Sequence, residues 1–97
     1  MITRIFRVRI DPALRDAFER DFQAISVGVV EKQKGLVSVS IGKPTIWTPN
    51  EYSMVSTWRT EGALITFAGD DWQQAHIPSG MEKYILECWV HHYVSFD

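Results

Sequence analysis

Apolar and polar positions alternate at first, then recur every three or four residues, then alternate through two further stretches. A second helical repeat and a last alternation follow. In residues 2–10, Ile2, Phe6, Val8 and Ile10 fall on one side and Thr3, Arg7 and Arg9 on the other, the period of a half-buried strand. Arg4 breaks the pattern by sharing the apolar side, and Ile5 by sharing the polar one. Asp11-Pro12 reads as a helix N-cap followed by proline in the first turn. Leu14, Ala17, Phe18, Phe22, Ile25 and Val29 then continue at helical spacing. Val27-Gly28-Val29-Val30 is weak helix chemistry and predicts a kink near residues 26–28. Lys32 and Lys34 suit the negative helix end, and Gly35 suits a C-cap.

Residues 36–43 alternate again, with Val37, Val39 and Ile41 opposing Ser38, Ser40 and Gly42. Pro44 to Asn50 is a loop with two prolines. Residues 52–59 form a third strand, Tyr52, Met54, Ser56 and Trp58 opposing Ser53, Val55 and Thr57. Thr60 caps a short helix carrying Ala63, Leu64 and Phe67, which Gly69 breaks. Residues 70–76 place Trp72 and His76 four apart, on one face if helical. A turn at 77–80 and a linker or short helical turn at 81–85 lead to the last strand, 86–96. There Leu86, Cys88, Val90, His92, Val94 and Phe96 oppose Glu87, Trp89, His91, Tyr93 and Ser95.

The order β-α-β-β-α-β predicts a single α+β, ferredoxin-like domain over residues 1–97, with a four-stranded antiparallel sheet and both helices on one face. Strands with bulky residues on both sides, such as Trp89 and Tyr93 opposite Val90 and Val94, need a second cover. The simplest cover is the sheet of a second copy, which predicts a homodimer.

Composition narrows the function classes. A net charge of −2 gives no pull toward nucleic acid. No apolar run approaches the roughly 18 residues of a membrane span, and no signal-peptide core opens the chain. The single cysteine, Cys88, forms no intrachain disulfide, and we expect a cytoplasmic protein in which it serves as a small core hydrophobe. No motif asks for a flavin, another cofactor or a metal.

The chemistry-bearing residues each have two readings. His76 suits a cavity base or hydrogen-bond donor, and equally a histidine on a helix C-terminal dipole. His92 is a hydrogen-bonded core residue or a cavity base. Trp58, Phe67 and Trp72 are cavity walls or core packing, and Tyr93 anchors a substrate phenol or packs with Trp89 at the dimer interface. Arg4 holds a substrate anion or pairs with a carboxylate, the second being the commoner use. Four tryptophans exceed the needs of so small a core and point to an aromatic-lined pocket or a large interface.

Three stretches resemble the antibiotic biosynthesis monooxygenase (ABM) family of the dimeric α+β barrel superfamily. They are Gly35-Leu-Val-Ser-Val-Ser-Ile-Gly-Lys-Pro44, Trp58-Arg-Thr-Glu-Gly-Ala-Leu64, and Phe67-Ala-Gly-Asp-Asp-Trp72 with His92-Tyr93 on the last strand. The resemblance implies a dimeric α+β barrel with an aromatic-lined cavity between sheet and helices. It also implies oxygenation of phenolic or quinol-type compounds by O₂ without flavin, haem or metal. A related branch degrades haem with a first-strand Asn, a second-helix Trp and a downstream iron-ligating His. Here those places hold Phe6 or Arg7, Phe67 and His76, so haem degradation is not expected.

We therefore expect a cofactor-independent monooxygenase acting on a small aromatic compound, with His92 or His76 as base and Trp58, Phe67, Trp72, Tyr93 and Arg4 binding substrate. The alternative is a non-catalytic or stress-associated homodimer whose cavity binds a small molecule without turnover.

Overall fold

The computed structural model describes residues 1–75, 77 and 79–96. Strand β1 (Ile2–Ile10) is followed by α1, a helical stretch over residues 12–31. Strands β2 (Leu36–Gly42) and β3 (Glu51–Trp58), helix α2 (Glu61–Ala68) and strand β4 (Ile85–Val94) complete the β-α-β-β-α-β order. The strands form one antiparallel sheet in the order β2-β3-β1-β4. The fold is α+β and ferredoxin-like, as the alternation predicts.

The expected helix start is present: the Asp11 carboxylate accepts from Ala13 N–H at 3.0 Å, with Pro12 behind the cap. The irregularity expected near residues 26–28 is a π-helical segment, Phe22–Val27, set between Arg15–Asp21 and Gly28–Glu31. Its reason lies in the buried stripe Phe18, Phe22, Ser26 and Val30, spaced by four throughout. In an α-helix each step of four overshoots a full turn by roughly 40°. The wider π turn takes up that overshoot and keeps the stripe over the sheet. The β-branched residues and glycine at 27–30 weaken the competing α-helical pattern.

Two strand boundaries differ from the alternation read along the chain. Leu36 pairs with Trp58 and Ser38 with Thr57, so Val37 is a bulged extra residue and Leu36, Val39 and Ile41 share the helix side. Likewise Arg9 pairs with Glu87 and Ile10 with Ile85, which expels Leu86 from the inward face. Phe96 lies beyond β4 and is exposed. Period-two counting does not register an inserted residue.

The helix-covered face holds two clusters. One joins Phe6, Val8 and Ile10 with Phe18, Phe22, Tyr52, Met81 and Tyr84. The other joins Ile2, Val30, Trp58 and Leu64. Gly35, at φ +85°, lets the chain turn from α1 into β2, and a Cβ there would stand 2.5 Å from the Ala63 Cβ. The opposite sheet face carries Ile5, Val55 and Trp89, with the Arg7 guanidinium 5.6 Å from the Trp89 ring centre. No helix among the described residues is long and apolar enough to cross a membrane.

Candidate functional site

The inward stripe of β1 is Ile2, Arg4, Phe6, Val8 and Ile10, every member buried. Ile2 belongs to one core cluster and Phe6 to the other, so Arg4 sits at the seam between them. The seam recurs across the fold. Ser26 lies between Phe22 and Val30 on α1, and Ser56 between Met54 and Trp58 on β3. Ser56 and His92 are the cross-strand partners of Arg4 on either side. Arg4, Ser26 and Ser56 are the buried polar residues among those described. A polar belt therefore divides the core.

A cavity of about 270 Å³ occupies this seam. Arg4, Phe6 and Met54 of the sheet form its floor, Ser26, Val29, Val30 and Gln33 one wall, and Thr66, Phe67 and Ala68 of α2 the other. Val29 and Thr66 are exposed, which places the opening between the helices. The lining is mainly apolar, and Arg4 is its one charged residue among those described.

Arg4 is 6% exposed, and no carboxylate pairs with it among the described residues. Its Nη1 donates to the Trp72 carbonyl at 2.6 Å and to His92 Nε2 at 3.0 Å, and its Nη2 donates to the Gln74 carbonyl at 3.4 Å. Burial holds the guanidinium below its usual pKa. Since Nη1 carries only hydrogens, His92 Nε2 must accept, which fixes the imidazole as neutral with its proton on Nδ1. Burial, then the Arg4 charge, then His91 lower the His92 pKa in that order. Gly69 (φ +89°) ends α2, and turns bonded Trp72 N–H to Gly69 O and Gln74 N–H to Asp71 O follow in place of a continued helix. These turns bring the Trp72 and Gln74 carbonyls to Arg4.

The predicted residues separate by position. Arg4 and Phe67 line the cavity. Trp58 lies one layer behind, fully buried, stacked on Phe67 at 5.2 Å between ring centres, with its indole N–H donating to Ser56 Oγ. Trp72 meets the His92 ring edge-on at 4.7 Å. His92 supports Arg4 from β4. Tyr93 is on the opposite sheet face, 56% exposed, beside Thr3. His76 lies outside the described residues. Sequence reasoning did not single out Ser26, Val29, Gln33, Met54 or Thr66. The signal available is a polar residue within the inward stripes of β1, α1, β3 and β4, and the alternation by itself marks only Arg4 and His92.

Among the described residues, no three His, Cys, Asp or Glu side chains cluster as a metal site. The model of the antibiotic biosynthesis monooxygenase family matches residues 1–77. No curated protein sequence matches the chain. Solved structures share the fold at low identity. SnoaB of Streptomyces nogalater, a cofactor-independent oxygenase, is 16% identical with a TM-score of 0.73 over 99% of this chain and 93% of that one. MhuD, crystallised with two manganese protoporphyrin IX molecules per active site, is 17% identical with a TM-score of 0.75 over 99% and 95% of the two chains. A candidate antibiotic biosynthesis monooxygenase from Nitrosomonas europaea is 11% identical with a TM-score of 0.77 over the whole of both chains. With four-fifths of its length under one family model and its fold shared across these neighbours, the chain belongs to the antibiotic biosynthesis monooxygenase family.

Proposed function

We propose that the chain is a cofactor-independent monooxygenase that oxidises a small phenolic or quinol-type compound with O₂ in the cavity above Arg4. The observation that carries this reading is a buried arginine, without a carboxylate partner among the described residues, in the lining of a mainly apolar cavity. A phenol reduces O₂ readily only as its anion. A fixed cation in a site of low polarity favours that anion and lowers the pKa of the bound substrate. The proton leaves to water through the opening between Val29 and Thr66. The electron-rich carbon para to the oxygen anion then bonds to O₂, giving a hydroperoxide after protonation. Breaking its O–O bond with loss of the C–H proton leaves a quinone and one water. One oxygen atom enters the ring and the other leaves as water, with no external reductant.

In this mechanism Arg4 is the catalytic residue and Phe67 the wall on which the ring rests. His92, whose Nε2 is engaged by Arg4, is a positioning residue. We further read the protein as a cytoplasmic homodimer joined through the open sheet face at Ile5, Val55 and Trp89. Apolar groups on that face favour a second copy as cover.

The test is oxygen uptake with a panel of phenols and naphthols whose para carbon bears hydrogen, with the quinone product followed by chromatography. Uptake by the wild type, lost in folded Arg4→Met, is the expected result. Ligand-dependent tryptophan quenching without oxygen uptake would replace the enzyme by a binding protein using the same cavity.

A further inference from the structure

We propose that the ligand of this cavity presents two adjacent oxygens on one edge, as an ortho-hydroxy aromatic carboxylate, and that Arg4 grips this edge with two N–H groups. The inference rests on the cavity assigned above and narrows its ligand to an organic anion.

A guanidinium has five N–H donors. At Arg4 both Nη1 hydrogens and one on Nη2 are taken by Trp72, His92 and Gln74. Nε–H and the second Nη2–H remain. Among the described residues no side-chain nitrogen or oxygen is both sealed from solvent and without a partner. Nε has no hydrogen-bond partner among the described residues, and Arg4 lines the cavity. Nε–H and the outer Nη2–H of an arginine project side by side and match the two oxygens of a carboxylate. A lone phenolate engages this pair with a single oxygen.

Charge leads to the same class. All three recorded partners of Arg4 are neutral, two carbonyls and an imidazole held in its neutral form. The buried positive charge is therefore uncompensated by protein groups among the described residues. A ligand carboxylate supplies the missing charge where water is scarce, and the ortho hydroxyl, hydrogen-bonded to it, lies on the same edge of the ring. The apolar walls at Val29, Val30, Met54 and Phe67 then hold the ring. At about 270 Å³ the cavity suits one or two fused rings.

Three probes of similar size separate the possibilities: 1-hydroxy-2-naphthoate, 1-naphthol and 2-naphthalenemethanol, titrated calorimetrically into the wild type near pH 7.5. The hydroxynaphthoate is expected to bind roughly ten to a hundred times more tightly than either neutral probe. Its binding should also shift the Arg4 Nε–H resonance in ¹⁵N-edited spectra. In Arg4→Met the preference for the anion should vanish while weak binding of the neutral rings persists. The wild-type spectra decide the matter even if that variant does not fold. Equal affinities for the three probes, or an unmoved Arg4 Nε–H signal at saturation, overturn the proposal. Tight hydroxynaphthoate binding without oxygen uptake upholds it and defeats the monooxygenase reading. Oxidation of 1-naphthol with no preference for the acid does the reverse.

Discussion

Arg4 and His92 face each other across β1 and β4 as register partners, and the guanidinium donates to the imidazole Nε2 at 3.0 Å. This bond joins an obligate donor to a group that must stay neutral to accept. Protonating His92 sets two cations against each other in a half-buried place. The arrangement that ties the Trp72 and Gln74 carbonyls to Arg4 therefore depends on pH.

The sign follows from the lowered His92 pKa, whose largest cause is burial. The unfolded chain takes up a proton near pH 6.5, its ordinary value, and the folded chain only at lower pH. Stability from this group is fully present above about pH 6.5 and is lost as pH falls toward the lowered folded value. Urea unfolding between pH 5 and 8 should show this slope in the wild type. His92→Gln, which keeps a carbonyl acceptor for Arg4, should flatten it. An unchanged slope in the variant would assign the titration to another group.

A second acid-sensitive contact, outside the cavity lining, titrates in a separate pH window. The Glu19 carboxylate accepts from the Tyr52 hydroxyl and Arg15 Nε, with Lys43 at 3.4 Å. The Tyr52 hydrogen bond, first, and the Arg15 bond hold the Glu19 pKa down at about 2. Burial, then the bond to Glu19, pushes Tyr52 up to about 12. Glu19 thus contributes stability above its unfolded pKa of about 4.5, lost as pH falls toward about 2. Tyr52→Phe should cost about 1 kcal/mol at neutral pH. It should also raise the Glu19 carboxyl pKa, which ¹³C NMR titration reads directly.

The fold was legible because its elements follow the two periods, 2 and 3.6, and because caps such as Asp11 and Thr60 are local signals. The bulges at Val37 and Leu86 were not, since an inserted residue is fixed by the partner strand's register. The site was half legible. Arg4 stands out in sequence as a charge on an apolar stripe, but whether a carboxylate meets it depends on three-dimensional neighbours. Among the described residues Arg4 meets two carbonyls and an imidazole, and no carboxylate. Ser26 was invisible because the π segment that turns it inward is not written in helical periodicity.

Ser26 offers a way to close the cavity without disturbing the polar clamp. It is buried on the π segment and lines the space above Arg4, where a larger apolar side chain has room. Ser26→Leu should therefore leave stability within about 1 kcal/mol of the wild type, because the added carbons fill a void instead of displacing packed atoms. Ligand binding should fall at least tenfold in calorimetry. Loss of stability together with intact binding would mean that the ligand enters elsewhere.

The open sheet face can be tested independently of the cavity, since its side chains point away from it. Trp89 is partly buried there with Arg7 over its ring, and Ile5 and Val55 lie on the same face. Trp89→Glu places a charge where the proposed second copy would seal it from water, a penalty of several kcal/mol in the dimer. In the monomer the carboxylate remains solvated beside Arg7, and the helix-side core is untouched. Sedimentation velocity should show a wild-type dimer and a monomeric variant, with far-ultraviolet circular dichroism unchanged. A wild-type monomer, or a variant that remains dimeric, would place any association on another surface. Because the cavity lies on the helix side of the sheet and Trp89 on the other, a monomeric variant should still bind the hydroxynaphthoate within a few-fold of the wild-type affinity.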